Sequence, residues 1–342
     1  MSSLISIAEK GYIPDSIVRL GIRSLLWQRL REIEDTADEL SFLKSMRDEP
    51  IAVNQEAAND QHYELPPEFF DIVLGPNRKY SGCLWEEGIS NLQQAEQKSL
   101  EQVVERAELK DGMNILELGC GWGSLTLWMA KAFPSASITA VSNSSPQRLF
   151  IESECNSLGL TNVKVITADV ARLQLTDSFD RVVSIEMFEH MRNHSELLTR
   201  ISSWLRPGGK LFVHIFSHKQ HSYLFETEGP SNWMGRYFFT GGMMPSQSLL
   251  QRTQSPLLLE KQWWLSGQNY AQTAEAWLEK LYLNRERVLQ LFSKVYGDDS
   301  KTLWFNRWRI FFLSCAELFG YSRGEEWGIS HYLFVNQPEL HQ

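Results

Sequence analysis

Short β-rich runs alternate with amphipathic helical segments through the middle of this 342-residue chain. The β-rich runs are Asn114–Leu118, Ser137–Val141, Val163–Thr167, Asp180–Glu186 and Lys210–Phe216. The helical segments between them include Leu125–Phe133, Pro146–Leu158 and Ser195–Leu205. A strand–helix–strand repeat at this spacing is typical of βαβ units, so the sequence predicts an α/β fold with a mainly parallel sheet.

The segments on either side of this repeat predict further structure. Pro207-Gly208-Gly209 predicts a turn ahead of the fifth run. The aromatic run Glu260–Leu265 and the apolar run His331–Val335 predict two late strands, which would complete the sheet as an antiparallel hairpin. We expect a helical cap region over residues 1–110 and a ligand-binding core over residues 111–342, with an insertion at about residues 218–330 that shapes a substrate site.

An amphipathic helix is predicted over Ser16–Arg31, where apolar residues recur three and four positions apart. In this pattern Arg19, Arg23 and Arg29 lie opposite the apolar face. A basic amphipathic helix can lie on a membrane surface or pack against its own domain, and packing is the more common outcome.

The charge balance and the apolar pattern disfavour several classes of protein. The 42 Asp and Glu residues outnumber 33 Lys and Arg residues, and the resulting net charge of −9 argues against a nucleic-acid partner. No run of 18 or more apolar residues occurs, and the N-terminus lacks a secretory pattern. Because Cys83, Cys120, Cys155 and Cys315 have no metal-ligand spacing, we expect a reduced, cytoplasmic protein without a metal site.

The strongest local motif is the sequence ILELGCGWG, a predicted strand that runs into Gly119, Gly121 and Gly123 and then into a helix. Glycines let a backbone approach a ligand closely, and a helix N-terminus offers free N–H groups to an anionic group. A dinucleotide-binding motif reads G-x-G-x-x-G, and here the third glycine arrives one residue early. The loop therefore predicts a ligand site, with a tight ligand-free turn as the alternative.

Polar residues follow the next two predicted strands. Asn143 stands where an acidic residue would hold ribose hydroxyls, and its amide can bond the same hydroxyls with help from Gln147. Asp169 follows the third strand at the carboxyl edge of the sheet, where ligands bind in such folds. A helix N-cap is the competing interpretation of Asp169.

Three of these motifs together resemble the class I S-adenosylmethionine-dependent methyltransferases: ELGCGWG, the pair Ala168-Asp169 and PGG before a strand. The resemblance implies a Rossmann-like, mostly parallel sheet of about seven strands. It also implies S-adenosylmethionine as the methyl donor and S-adenosylhomocysteine as its product. The residues expected to bind the methyl donor are Tyr80, Ser81, Gly119, Gly121, Gly123, Asn143, Gln147 and Asp169.

A closer resemblance, to the cyclopropane-fatty-acid-synthase superfamily, extends over about residues 60–335. The motifs that carry it are Tyr80-Ser81, Phe188-Glu189-His190, Pro245-Ser246 and Tyr270. Within that superfamily, Glu186–Met191 and Phe319–Phe334 are most similar to the coclaurine N-methyltransferase branch. The second of these motifs is long and specific, so it indicates kinship over the whole chain.

The chemistry of an amine acceptor also points to Glu186, Glu189 and His190. An amine must lose its proton before its lone pair can attack a methyl group. A carboxylate can hold the ammonium form by charge-assisted hydrogen bonds, and an imidazole can accept the proton. The resemblance implies the same catalytic roles, whereas the alternative is a capped helix with a surface histidine.

Lipid methylation is the main alternative, because cyclopropane synthases modify unsaturated acyl chains with the help of a bound bicarbonate ion. Their ion site corresponds to Glu189, His214, Tyr270 and the backbone of a cysteine after Tyr-Ser. Here Gly82 takes that cysteine's place, and Glu186 replaces the glycine that commonly precedes Met-Phe-Glu-His in the lipid enzymes. An added carboxylate suits a cationic amine, so both departures favour nitrogen methylation.

We therefore expect an S-adenosylmethionine-dependent N-methyltransferase that acts on a small aromatic or alicyclic amine. The alternative is a cyclopropane-fatty-acyl-phospholipid synthase or lipid C-methyltransferase, with bicarbonate as cofactor and membrane contact through the predicted Ser16–Arg31 helix. A third hypothesis is a catalytically silent protein that only binds the methyl donor. The sequence leaves the oligomeric state open, a homodimer included.

Overall fold

The computed structural model describes residues 2–36, 38–53, 65–229 and 232–337. The strands in chain order are β1 (Asn114–Leu118), β2 (Ser137–Ser142), β3 (Val163–Thr167), β4 (Phe179–Ile185), β5 (Leu205–His218), β6 (Tyr223–Leu224), β7 (Met243–Met244), β8 (Leu258–Ser266) and β9 (Trp327–Val335). The α-helices are α1 (Ser2–Glu9), α2 (Asp15–Thr36), α3 (Glu39–Arg47), α4 (Pro67–Val73), α5 (Leu92–Arg106), α6 (Ser124–Ala132), α7 (Ser145–Leu158), α8 (His194–Trp204), α9 (Trp233–Tyr237), α10 (Leu249–Arg252), α11 (Gln268–Leu283), α12 (Arg285–Tyr296) and α13 (Lys301–Gly320).

The main sheet has seven strands in the order β3-β2-β1-β4-β5-β9-β8. Strands β1 to β5 run parallel to one another, and β9 runs antiparallel to both of its neighbours. The predicted seven-stranded, mostly parallel sheet is confirmed. The strand order reverses between β1 and β4, and the crevice outside the carboxyl ends of such strands is where open α/β sheets bind ligands.

The predicted hairpin of the two late strands is wrong in its connection. Strands β8 and β9 do pair antiparallel, but residues 267–326 between them form α11, α12 and α13. Eight of the nine residues of β9 are buried, whereas β8 is largely exposed or half-buried. A strand buried on both faces belongs inside a sheet, and β9 accordingly lies between β5 and β8.

Helix α2 covers the predicted amphipathic segment and packs against α13. The guanidinium of Arg19 donates to Glu317 and Glu275, and that of Arg23 also donates to Glu317. Arg19 therefore faces the protein, contrary to the expected placement, because Glu317 is buried and requires a compensating charge. Arg23 reaches the same carboxylate from an exposed position. Within the described ranges, no helix is long and apolar enough to cross a membrane.

An aromatic cluster positions the segment that precedes the Tyr-Ser motif. Phe69 and Phe70 of α4 are fully buried. The Phe70 ring lies 5.1 Å from Trp122 of the glycine loop and 5.3 Å from Tyr80, measured between ring centroids. This packing brings residues 80–82 beside the carboxyl end of β1. The predicted boundary at residue 110 stays a prediction.

Candidate active site

The glycine loop begins where β1 ends, and its three glycines have positive φ angles. The values are +78° at Gly119, +53° at Gly121 and +80° at Gly123. Residues with a Cβ are disfavoured in this region, so the backbone path requires glycine. A Cβ on Gly123 would lie 2.7 Å from Ile151 Cγ1, whereas a Cβ on Gly121 would meet no atom within 4 Å in the described part of the chain. Gly123 thus allows α6 and α7 to pack, and Gly121 opens onto a cavity.

Two adjoining cavities form one cleft at this edge of the sheet. Both are lined by Gly119, Gly121, Gln147 and Glu186. The first cavity is also lined by Val53, Leu118, Val141, Ser142, Asn143, Ala168, Val170, Met187, His190, Met191 and Thr240. The second is also lined by Arg78, Lys79, Tyr80, Ser81, Leu100, Glu117, Cys120, Trp122, Ser124, Leu125 and Ile185. The fold therefore brings most of the predicted residues together along one cleft.

Two polar side chains in the cleft fit a ligand such as S-adenosylmethionine. Among the residues that the structure describes, the buried atoms Gln147 Nε2 and Ser124 Oγ have no hydrogen-bond partner. The other amide atom of Gln147 accepts from Ser142 Oγ at 2.6 Å, which fixes the orientation of the amide. Buried polar atoms without partners are rare in folded proteins, so their placement on a glycine-lined wall indicates a polar ligand. Asn143 lies at the rim, where its side chain is exposed.

Two of the residues predicted to bind the methyl donor, Gly123 and Asp169, do not line either cavity. Gly123 is at the start of α6 and serves helix packing, as described above. Asp169 Oδ1 accepts the backbone N–H of Ala171 at 2.7 Å, which closes a local turn. Residues 168–178 form turns and loop without a helix, so the alternative interpretation of Asp169 as a helix N-cap is wrong. Its neighbours Ala168 and Val170 line the cleft. A contact between Asp169 and the methyl donor stays a prediction.

Glu186 has a backbone conformation that is rare for a residue other than glycine. Strand β4 ends at Ile185, one residue earlier than predicted, because Glu186 has a φ of +47°. The left-handed conformation costs a residue with a Cβ roughly 1–2 kcal/mol. A glutamate held there at such a cost indicates a function for its carboxylate.

The Glu186 carboxylate accepts hydrogen bonds from three separate parts of the fold. Gly82 N–H donates to Oε1 at 2.9 Å, and the Tyr270 hydroxyl donates to Oε2 at 2.8 Å. His214 Nε2 lies 3.3 Å from Oε1. Burial raises the pKa of Glu186, while the charge of Lys79 and the hydrogen bonds from Gly82 and Tyr270 oppose the rise. These donors favour the ionised carboxylate against the opposing effect of burial.

Glu189 has the opposite environment. It is fully buried on the short turn Phe188–His190, and neither carboxylate oxygen has a hydrogen-bond partner within the described ranges. Burial and the negative charge of Glu186 raise the pKa of Glu189 well above its ordinary value. A buried carboxyl group without a partner favours the protonated form or a nearby cation. The next residue, His190, lines the cleft, and its ring stacks on Phe239 with 5.7 Å between centroids.

Sequence reasoning missed the residues that support this arrangement. Lys79 is buried, and its Nζ donates to Ser81 Oγ and to the Gly82 carbonyl oxygen, both at 2.6 Å. Buried Glu96 accepts the backbone N–H groups of Gly75, Asn77 and Lys79. Together they fix the loop that presents Gly82 N–H. Glu96 lies in the polar stretch LQQAEQKSLEQ, which reads as a solvated helix face and gives no signal of burial.

The sheet order, the glycine loop and the polar cleft at the carboxyl ends define a class I S-adenosylmethionine-dependent methyltransferase. Comparison with known proteins narrows the class. The mycolic acid cyclopropane synthetase family matches residues 52–325, and the chain belongs to this family. The predictions of an enzyme and of S-adenosylmethionine as methyl donor are confirmed, and the hypothesis of a silent binding protein is set aside.

The chain is similar over nearly its whole length to amine-methylating members of the family. It is 38% identical to (S)-coclaurine N-methyltransferase of Thalictrum flavum subsp. glaucum, over 95% of this chain and 93% of that protein. A crystal structure of coclaurine N-methyltransferase bound to N-methylheliamine and S-adenosylhomocysteine matches with a TM-score of 0.93 and 35% identity, over 97% of this chain and 98% of that one. Cyclopropane-fatty-acyl-phospholipid synthase of Escherichia coli strain K12 is 30% identical over 64% of this chain and 55% of that protein.

Proposed function

We propose that the protein transfers a methyl group from S-adenosylmethionine to the nitrogen of a small aromatic or alicyclic amine, with Glu186, Glu189 and His190 as catalytic residues. The comparisons confirm the N-methyltransferase prediction, because the relatives that match nearly the whole chain are N-methyltransferases by name. The lipid enzyme named above matches a shorter part of the chain. The catalytic roles and the chemical class of the amine are the proposed part.

One observation carries this proposal: the Glu186 carboxylate occupies the hydrogen-bond donors that the lipid enzymes are expected to use for bicarbonate. Those donors are His214, Tyr270 and the backbone N–H that follows Tyr-Ser, here that of Gly82, and all three bond to Glu186. An ion site that is filled by the protein's own carboxylate has no need of a dissolved ion. The fixed negative charge also favours a cationic acceptor over a neutral alkene.

The geometry supports different roles for the carboxyl groups of Glu186 and Glu189. Glu186, held by three hydrogen-bond donors, supplies a fixed negative charge beside the cleft. Glu189 is fully buried and does not line either cavity, but it precedes His190 and has no partner within the described residues, so its charge can stabilise the ammonium form of the acceptor through space. His190 lines the cleft and can take the proton that the amine must lose.

S-adenosylmethionine, when bound, supplies an electrophilic methyl group. Gly119, Gly121 and Gln147, which line both cavities, would hold it against the carboxyl end of β1. The same cleft includes Glu186 and His190, so the methyl donor and the catalytic side chains share one space.

The test is an incubation with labelled methyl donor and two acceptor pools, one of small cyclic amines and one of unsaturated phospholipid vesicles. Mass spectrometry of the products, with and without bicarbonate in carbonate-free buffer, gives the readout. We expect methylated amine at a rate that bicarbonate does not change. Modified lipid, with a rate restored by bicarbonate and an unimpaired Glu186→Gln variant, would contradict the proposal.

Three further expectations stay predictions: the absence of a nucleic-acid partner, a cytoplasmic location and a homodimer. Membrane contact belongs to the lipid alternative.

A further inference from the structure

Two buried histidines connect Glu186 to Arg106, the last residue of α5. His214 of β5 and His331 of β9 are directly opposite each other in the strand register, and both are almost fully buried. His331 Nε2 lies 2.8 Å from His214 Nδ1, and Arg106 Nη1 lies 2.8 Å from His331 Nδ1. With the contact between His214 Nε2 and Glu186, these distances form one continuous chain of hydrogen bonds from Arg106 to Glu186.

The chemistry of arginine fixes the direction of this chain. A guanidinium can only donate hydrogen bonds, so His331 Nδ1 must accept. Burial and the nearby positive charges of Lys79 and Arg106 lower the pKa of both histidines, so each ring is neutral and carries one N–H. The N–H of His331 is then on Nε2 and donates to His214 Nδ1. The N–H of His214 is therefore on Nε2 and points at the Glu186 carboxylate.

We infer that Arg106 and His331 are positioning residues, which hold His214 in the tautomer that donates to Glu186; the importance of that bond for turnover rests on the proposed function. If the proton of His214 were on Nδ1 instead, the lone pair of Nε2 would face the carboxylate. Glu186 would then keep Gly82 and Tyr270 as hydrogen-bond donors and gain a repulsive contact. The arginine thus acts on a carboxylate that it does not touch.

The fold holds Arg106 firmly enough for this role. It is the last residue of α5, and its guanidinium carbon lies 5.0 Å from the centroid of the Trp263 ring, in cation–π geometry. Trp263 of β8 is opposite His331 in the register, so the row His214, His331, Trp263 crosses three adjacent strands. Because arginine does not lose its proton, the chain orients the histidines and does not conduct protons to the surface.

The orientation can be tested without substrate. Long-range ¹⁵N–¹H NMR spectra of histidine-labelled protein distinguish the protonated from the unprotonated ring nitrogen, and His214→Gln and His331→Gln variants assign the signals. We expect Nε2–H and bare Nδ1 for both histidines in the wild-type protein. A wild-type spectrum with the proton on Nδ1 of either ring, or with a doubly protonated ring, would overturn the inference.

Substitutions of Arg106 test whether the orientation matters. Arg106→Lys keeps a hydrogen-bond donor, and Arg106→Met keeps an unbranched side chain without one. We expect Arg106→Met to change the tautomer populations of both histidines and to lower kcat for the best amine about tenfold, at little cost in KM. Arg106→Lys should stay within about threefold of the wild-type kcat and keep the wild-type tautomers.

Arg181→Met is the matched control, because Arg181 is also partly buried and donates to a backbone carbonyl, that of Ala107, outside this chain of bonds. It should lower thermal stability without changing the histidine spectra. Unchanged tautomers and unchanged kcat in a folded Arg106→Met protein would overturn the inference. If no amine is methylated although the tautomers are as inferred, the proposed function fails and the orientation by Arg106 stands.

Discussion

The two sides of the cleft are built in different ways. The methyl-donor side consists of a backbone loop, Gly119–Gly123, whose essential property is the lack of side chains at φ values that disfavour them. The carboxylate side consists of specific side chains from distant segments, with Glu186 held by Gly82, His214 and Tyr270. We infer that an added side chain in the glycine loop impairs ligand binding, whereas the loss of a hydrogen-bonding group around Glu186 impairs turnover. The following predictions test this contrast.

The largest effect is expected for Glu189→Gln, which keeps the size of the side chain and removes its charge. If Glu189 holds the ammonium and takes part in proton transfer, kcat should fall by on the order of 10²–10⁴-fold with donor affinity unchanged. Glu196→Gln, an exposed position on α8, is the control and should have wild-type kinetics. A Glu189→Gln enzyme within about threefold of wild-type kcat would remove Glu189 from the mechanism.

The pH dependence follows from the raised pKa of Glu189. Only the ionised form can hold a cation or accept a proton, so kcat/KM should rise as pH increases through this raised pKa. The amine must also lose its proton, which gives a second rise that depends on the acceptor. Plots of kcat/KM against pH for two amines of different basicity distinguish the ionisation of Glu189 from that of the amine. The rise that occurs at the same pH with both amines belongs to the enzyme. A profile that falls with pH over this range would contradict the assignment.

Gly121→Val tests the backbone side of the cleft. The added side chain would extend into the cavity, so we expect the affinity for S-adenosylmethionine in calorimetry to fall by about 100-fold or more, equivalent to at least about 2.7 kcal/mol. The left-handed conformation will also cost about 1–2 kcal/mol of stability. Gly112→Val is the matched control, since Gly112 has a φ of +80° and open space around its Cβ position. Both variants should lose similar stability, but only Gly121→Val should lose the ligand.

Tyr270→Phe removes one of the hydrogen-bond donors to Glu186 and keeps the ring, which stacks on Phe319 at 4.1 Å between centroids. Glu186 retains Gly82 and His214, so kcat should fall only about tenfold. The control is Tyr282→Phe, where the lost hydroxyl donates to Asp15 far from the cleft. Equal kinetics for the two variants would show that the hydroxyl of Tyr270 does not support the reaction.

The smallest effect is expected for Asn143→Ala. Its side chain is exposed at the rim of the cleft, so the loss of a ribose contact should weaken donor binding by only about 0.5–1.5 kcal/mol, or about two- to twelvefold. Asn156→Ala on α7, also exposed, should bind the methyl donor like the wild-type protein. A dissociation constant equal to that of this control would remove Asn143 from the site.

The contrast between the two sides also explains what the sequence could predict. The glycine loop, the end of β2 and the first four parallel strands depend on patterns within a few consecutive residues, and those predictions match the structure closely. The fifth strand differs, because it begins at Leu205 and includes Pro207-Gly208-Gly209, which was predicted as a turn. Asp169 was open to two local interpretations, a ligand contact and a helix N-cap, and the structure instead shows a turn in which it accepts the Ala171 N–H. Glu186, Glu189 and His190 could be proposed from the sequence because they belong to one short motif.

The supporting contacts could not be predicted, because strand register and loop packing create them. Arg106 and His331 are 225 residues apart in sequence, and His214 and His331 are 117 apart. They meet only because β9 lies between β5 and β8 in the sheet, after three helices that separate β8 from β9 in sequence. The backbone conformation of Glu186 could not be predicted either. The residue fits the pattern of a final strand position, and no neighbouring residue indicates its positive φ.

The backbone of Glu186 has a consequence for how such a site can arise. The positive φ of Glu186 is one that glycine adopts without strain, so a glycine here would keep the same path of the main chain, whereas glutamate adds the strain of its Cβ and the cost of burying its carboxylate. The glycine codons GGA and GGG become the glutamate codons GAA and GAG through a change of one base. Glycine and glutamate at position 186 are therefore one base change apart, so a single point mutation decides whether the carboxylate that bonds Gly82, His214 and Tyr270 is present.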